Sequence, residues 1–218
     1  MSRSVRIALT VLCVFTVSST PSFAARSGSE GMLQFRGDWH PVVGAGAVYQ
    51  METKGRPPLS MEIAVVGQEA GGYWIENRMN GPQEMISKML VTPAGPQRMI
   101  VKAAGQPAME LPVNLQAVQA PQTDLKQTAK LVGKEQITTP AGTFACDHYQ
   151  MNERGGTVDA WVASSVSPYG LVKMTSRDMT MTLAQVVKGA KSRITETPQK
   201  MEMPGMPNLS ELMGGRKE

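Results

Sequence analysis

Residues 59–79 read LSMEIAVVGQEAGGYWIENRM, and their alternation decides the fold class. Leu59, Met61, Ile63 and Val65 alternate with Ser60, Glu62, Ala64 and Val66, the period of two of a strand with one apolar face. Residues 67–72 then supply a turn. Beyond it Tyr73, Ile75 and Met79 oppose Trp74, Glu76 and Arg78, so a second strand returns with the same kind of sidedness. Residues 84–91 make a third such segment before Pro93-Ala94-Gly95-Pro96 interrupts it. Three consecutive runs of this kind predict a meander.

Working outward, residues 98–102, 131–138, 143–151, 157–162, 171–175 and 178–187 each have strand length. Pro140-Ala141-Gly142, Gly155-Gly156 and Pro168-Tyr169-Gly170 punctuate them. About nine strands with frequent turns predict a mainly β protein, a single antiparallel sheet curled into a half-barrel or sandwich with few short helices. Residues 105–122 are rich in Pro, Gln and Ala and read as a long connection or cover loop. The best helix is terminal: Asn208 caps residues 209–213, Glu211 completes a capping box, and Gly214-Gly215 ends the turn. The sequence shows no internal repeat, no heptad and no second apolar run of membrane-spanning length.

The first 24 residues, MSRSVRIALTVLCVFTVSSTPSFA, have the order of a cleavable export signal. Arg3 and Arg6 form the positive head, residues 7–17 the apolar run, and Ser22-Phe23-Ala24 the small-residue cleavage site. The expected division is a signal peptide at 1–24, a β-rich domain at 25–197, and a Met, Pro and Gly-rich tail at 198–218. The location is then periplasmic or secreted, and the cleaved chain does not span a membrane. Leu12 precedes Cys13 where a lipoprotein signal carries a small residue, which argues against a lipid anchor.

Cleavage leaves 194 of the 218 residues, a length that suits one domain with a sizeable core. Without the two leader arginines, 20 Lys and Arg face 18 Asp and Glu, a net charge of +2. These charges are scattered rather than banded, so nucleic acid is not an expected partner. The denser patch of Lys188, Lys191 and Arg193 reads as a solvated face. Cys146 is the only cysteine after residue 24, so the core is expected to hold without an internal disulfide even in an oxidising compartment.

Catalytic patterns are missing. There is no G-x-S-x-G elbow and there are only two histidines. Gly44-Ala45-Gly46 lacks the third glycine of a dinucleotide loop, and Gly189-Ala190-Lys191-Ser192 has Ala where a phosphate loop has Gly. Glu52, Glu62, Glu69 and Glu76 fall on polar strand positions or in turns and read as solvated. No enzyme activity and no cofactor are expected.

Cys146 and His148 leave one face of a predicted strand with about 7 Å between their α-carbons, close enough to share a metal ion. Methionine is the compositional excess, 17 of 218 residues. Thioethers fill irregular gaps and line surfaces that accept varied apolar ligands. They also bind monovalent copper. Met179 and Met181 share a strand face, so Cys146, His148, Met179 and Met181 compose a candidate copper(I) set, with Met201, Met203 and Met206 clustered in the tail. Trp39, Trp74 and Trp161 read as core or rim residues whose indole nitrogens need partners if buried.

Residues 131–174, LVGKEQITTPAGTFACDHYQMNERGGTVDAWVASSVSPYGLVKM, carry Gly133 and Glu135, the T-P-A-G-T-F run from Thr139, His148-Tyr149, Trp161-Val162 and a P-x-G-L-V-K run from Pro168. This pattern resembles a family of uncharacterised exported bacterial proteins, similar in architecture to the lipoprotein-carrier (LolA/LolB-like) group. The resemblance implies a curved antiparallel sheet around a hydrophobic cavity, with residues 105–122 and the terminal helix as covering pieces. The chain departs from the carriers in having almost no covering helix.

Three readings follow. The first is a non-enzymatic envelope protein presenting a Met-lined apolar concavity to a lipid or lipoprotein segment. The second is a periplasmic copper(I)-binding module, and the third a structural or protein-interaction role with an envelope protein as partner.

Overall fold

The computed structural model describes residues 35–36, 38–81, 83–111, 123–124, 129–153 and 156–200. The predicted signal at 1–24, most of the cover loop, the tail methionines and the terminal helix lie outside the described residues. Within them every regular element is a strand. None is a helix long and apolar enough to cross a membrane.

A short parallel pair joins β1 (Phe35–Arg36) to β8 (Thr123–Asp124). All other strands belong to one sheet. β2 (Gly46–Thr53), β3 (Leu59–Glu69), β4 (Gly72–Asn80), β5 (Met85–Thr92), β6 (Gly95–Ala103) and β7 (Met109–Leu111) form an antiparallel meander. β9 (Lys130–Thr139), β10 (Gly142–Glu153), β11 (Gly156–Val162), β12 (Leu171–Thr175) and β13 (Met179–Val187) form a second one. β13 joins β2, and β14 (Gln199–Lys200) adds in parallel to β7, giving the order β14-β7-β6-β5-β4-β3-β2-β13-β12-β11-β10-β9. β9 approaches β12 and β13 although β10 and β11 intervene in the sheet, so this end is curled.

The meander expected from residues 59–91 is present, with a tighter first turn. Strand β3 continues through Glu69 after a ladder irregularity at Val65/Gly67, leaving Ala70 and Gly71 as the two turn residues. Both have positive φ, 48° and 75°, as a twist-matched two-residue hairpin requires. Thr-Pro-Ala-Gly occurs twice, at 92–95 and 139–142, which amends the reading of no internal repeat. In each copy the Thr hydroxyl bonds the Gly carbonyl, at 3.0 and 3.4 Å, and accepts the Ala amide at 3.2 Å. Sequence reasoning missed β2, which starts at Gly46, and the short strands, which are two or three residues long.

The sheet is apolar on both faces. Its inner face carries the larger core, including Tyr49, Val65, Ile75, Val172, Met181 and Leu183, none more than 1 % exposed. The Tyr49 hydroxyl donates to the Leu171 carbonyl at 3.0 Å, and burial, reinforced by Tyr169, raises its pKa. Trp39 caps this core against Tyr73 and Tyr169.

On the outer face Trp74, Ile86, Leu90, Ile100 and Ala108 form a second cluster around Ile194. Ile194 belongs to residues 188–198, which leave β13 in mid-sheet and reach β14 at the far edge. This strap is tied by Ala190 N–H to Gly44 O, by Ser192 Oγ and Arg193 N–H to Glu76, and by Lys102 to Glu196. Glu76 is therefore buried, 5 % exposed, and not on a solvated face. Its carboxylate takes the place of water for two donors that the strap brings over the sheet.

Candidate functional site

Register turns the methionine excess into a pattern. Met61 pairs with Met79 and Met79 with Met85; Ile75 pairs with Met89, and Met89 with Met99. Val101, on the same face as Met99, pairs with Met109. On the other side Met174 pairs with Met181, Met181 with Met51, and Met151 with core Val158. Directly opposed residues share a face, so every methionine among the described residues stands on the inner face.

Between β2–β4 and β10–β13 that face is packed shut by buried side chains. The concavity expected from the sequence is filled there. On the wing made by β5, β6 and β7 it is more open: Met85 is 48 % exposed, and Met89, Met99, Val101, Met109 and Leu111 are half-buried. The wing thus offers an unbranched, polarisable apolar surface, the chemistry suited to a ligand of variable shape.

The proposed copper set does not assemble as one cluster in the ladder. Cys146 and His148 lie on β10, Met179 and Met181 on β13, with β11 and β12 between them in the sheet. Cys146 is buried, its thiol donates to the Phe144 carbonyl at 3.6 Å, and burial, with the Asp147 and Glu135 charges, pushes its pKa up to about 11. A protonated thiol is a poor ligand and nucleophile. Both ring nitrogens of His148 face carboxylate oxygens at 2.8 Å, Nδ1 towards Glu135 and Nε2 towards Asp159. Among the described residues no three His, Cys, Asp or Glu side chains form a metal-binding group. Met181 is fully buried between Met174 and Met51, and Met179 is half-buried beside it.

Trp161 and Trp74 find the partners that their indole nitrogens need. Trp161 Nε1 donates to Glu135 at 3.0 Å while Lys173 sits 5.3 Å from its ring. Trp74 Nε1 donates to Glu69 at 2.9 Å, with Lys88 and Arg98 over the ring. A separate cleft of about 350 Å³ opens beside β9 and β10, bounded by Asp38, Lys134, Glu135, Cys146, Asp147 and Tyr149 among others. Its charged rim distinguishes it from the methionine wing.

No protein-family model matches the chain, and no curated protein does. Among solved structures it is similar to MucB in complex with MucA(peri), at 13 % identity over 70 % of this chain and 53 % of that one, with a TM-score of 0.39. The chain therefore spans about half the length of MucB. It is also similar to a protein of Parabacteroides distasonis designated a lipoprotein, 13 % identical over 70 % of this chain and 99 % of that one, TM-score 0.32. A third likeness is to a protein of Bacteroides fragilis designated exported, with a YmcC-like fold, 12 % identical over 70 % and 100 % of the two chains, TM-score 0.30.

Proposed function

We propose that this is a non-enzymatic protein of the cell envelope that holds an apolar ligand, a lipid or a lipoprotein segment, on the methionine-lined inner face of the β5–β7 wing. The observation that carries the reading is the alignment of the methionines on one face, with the wing its least enclosed part. Export rests on the order of residues 1–24, and residues 131–174 resemble a family of exported proteins whose architecture is similar to that of the lipoprotein carriers, a likeness that supports the same ligand class. Burial of apolar ligand surface contributes about 25 cal/mol per Å², from which the cost of immobilising the ligand is subtracted, so an extended acyl chain suits the wing better than a small apolar molecule.

Native mass spectrometry of gently purified protein and displacement of a fluorescent long-chain fatty acid test the reading. Binding that falls sharply in Met99→Lys and persists in Leu131→Lys, on the sheet edge, supports it. Absence of both co-purified lipid and fatty-acid binding in the folded protein overturns it.

A further inference from the structure

Six methionines, one on each of six adjacent strands, form a continuous band: Met174, Met181, Met51, Met61, Met79 and Met85. Four of the five steps join directly opposed ladder partners, and the step from Met51 to Met61 is a diagonal, since Met51 faces Leu59 and Tyr49 faces Met61. Exposure rises along it. Met181 is fully buried, Met61 is 6 % exposed, Met79 is half-buried and Met85 is 48 % exposed.

We propose that Met61, Met79 and Met85 form a site for a soft monovalent cation, copper(I) or silver(I). Side chains directly opposed on neighbouring strands have Cβ atoms about 5 Å apart, and each thioether sulfur lies two flexible bonds further out. Three sulfurs from β3, β4 and β5 can therefore close on one ion from a single face. A thioether is neutral and needs no deprotonation, so the site selects by softness and rejects hard divalent ions. Met61 makes the floor and Met85 the entrance. Cys146 and His148 are not part of this site, and it does not depend on the apolar-ligand reading.

Leucine separates sulfur chemistry from apolar shape, because Met→Leu conserves volume in a packed face. In the full chain carrying Cys13→Ala and Cys146→Ala, silver(I) titration is followed by the methionine methyl resonances. Copper(I) is competed against a chromophoric chelator without oxygen. The expected result is one equivalent bound, first shifting the methyls of Met61, Met79 and Met85. Met79→Leu and Met85→Leu should each weaken binding at least tenfold, while Met109→Leu does not. Met85 is exposed enough for its substitution to leave folding intact, which circular dichroism verifies. No binding, unchanged affinity in both variants, or a first equivalent on methionines 201–213 would overturn the site. Fatty-acid binding retained by the leucine variants keeps the outcome separate from that of the wing.

Discussion

His148 lies flat on Trp161, its partner across the β10–β11 ladder, with ring centroids 4.6 Å apart and planes 16° from parallel. The stacked pair is held at its edges by Glu135, which meets both rings, and by Asp159, itself bonded by Gln150 at 3.0 Å. Glu135 is on β9, the last strand of the sheet, so this clasp ties the edge to the second strand inward. His148→Ala should cost about 2 kcal/mol, the scale of charged hydrogen bonds at a mostly buried position. Urea unfolding gives the magnitude, Trp161 emission should move, and amides of β9 should exchange faster. Unchanged β9 exchange would mean that the clasp does not secure the edge.

Ala70 occupies a left-handed conformation, φ 48°, that costs a residue with a Cβ about 1 kcal/mol. Ala70→Gly should therefore raise stability by about that amount, less the added freedom of glycine in the unfolded chain. A higher thermal midpoint with unaltered β3–β4 pairing is the expected outcome, and a lower one refutes the strain.

The Cys146 thiol has its pKa raised from 9.0 to about 11 by burial, with the Asp147 and Glu135 charges adding to it. The unfolded chain then ionises first, so stability should fall as pH rises from about 9 to about 11. Cys146→Ala should remove that part of the alkaline loss. Folded protein at neutral pH should also react slowly with iodoacetamide, with the rate tracking unfolding.

Glu110 and Arg98 form a two-point pair, at 2.7 and 3.2 Å, that fastens β7 to β6. The Arg98 hydrogen bond holds the Glu110 carboxyl below its usual range. A depressed carboxyl stabilises the fold above the unfolded pKa and loses that contribution as pH falls through the folded one. Glu110→Gln should therefore flatten the acid limb of the stability profile, and an unaltered limb would contradict the pairing.

Ile194 is the plug of the outer cluster and 5 % exposed. Ile194→Ala should cost about 2–4 kcal/mol and increase quenching of Trp74 by acrylamide. Glu76→Ala, which removes the carboxylate that accepts from the Ser192 hydroxyl and the Arg193 amide, should weaken the same segment. Equal protection of residues 190–196 in both variants and the parent would rule out the anchoring role.

The strands were legible wherever apolar and polar residues alternate, as at Leu59, Met61, Ile63 and Val65, because that period reflects one buried face. Sidedness within β4 was legible too, yet the burial of Glu76 was not, since alternation marks the second face without showing that residues 188–198 cross it. Likewise Met61 and Met79 could be placed on apolar positions, but their opposition to each other and to Met85 is a matter of register, which no local pattern contains. The spacing of Cys146 and His148 along one strand was legible. What it concealed was Glu135 and Asp159, which arrive from other strands and occupy the imidazole.

The strap has a mechanical corollary. It links a strand in mid-sheet to the far margin, so the β5–β7 hairpins cannot peel away one at a time without also dislodging Ile194 and the Glu76 latch. Two successive meanders would otherwise melt as independent units; bound in this way, they should come apart in a single concerted transition.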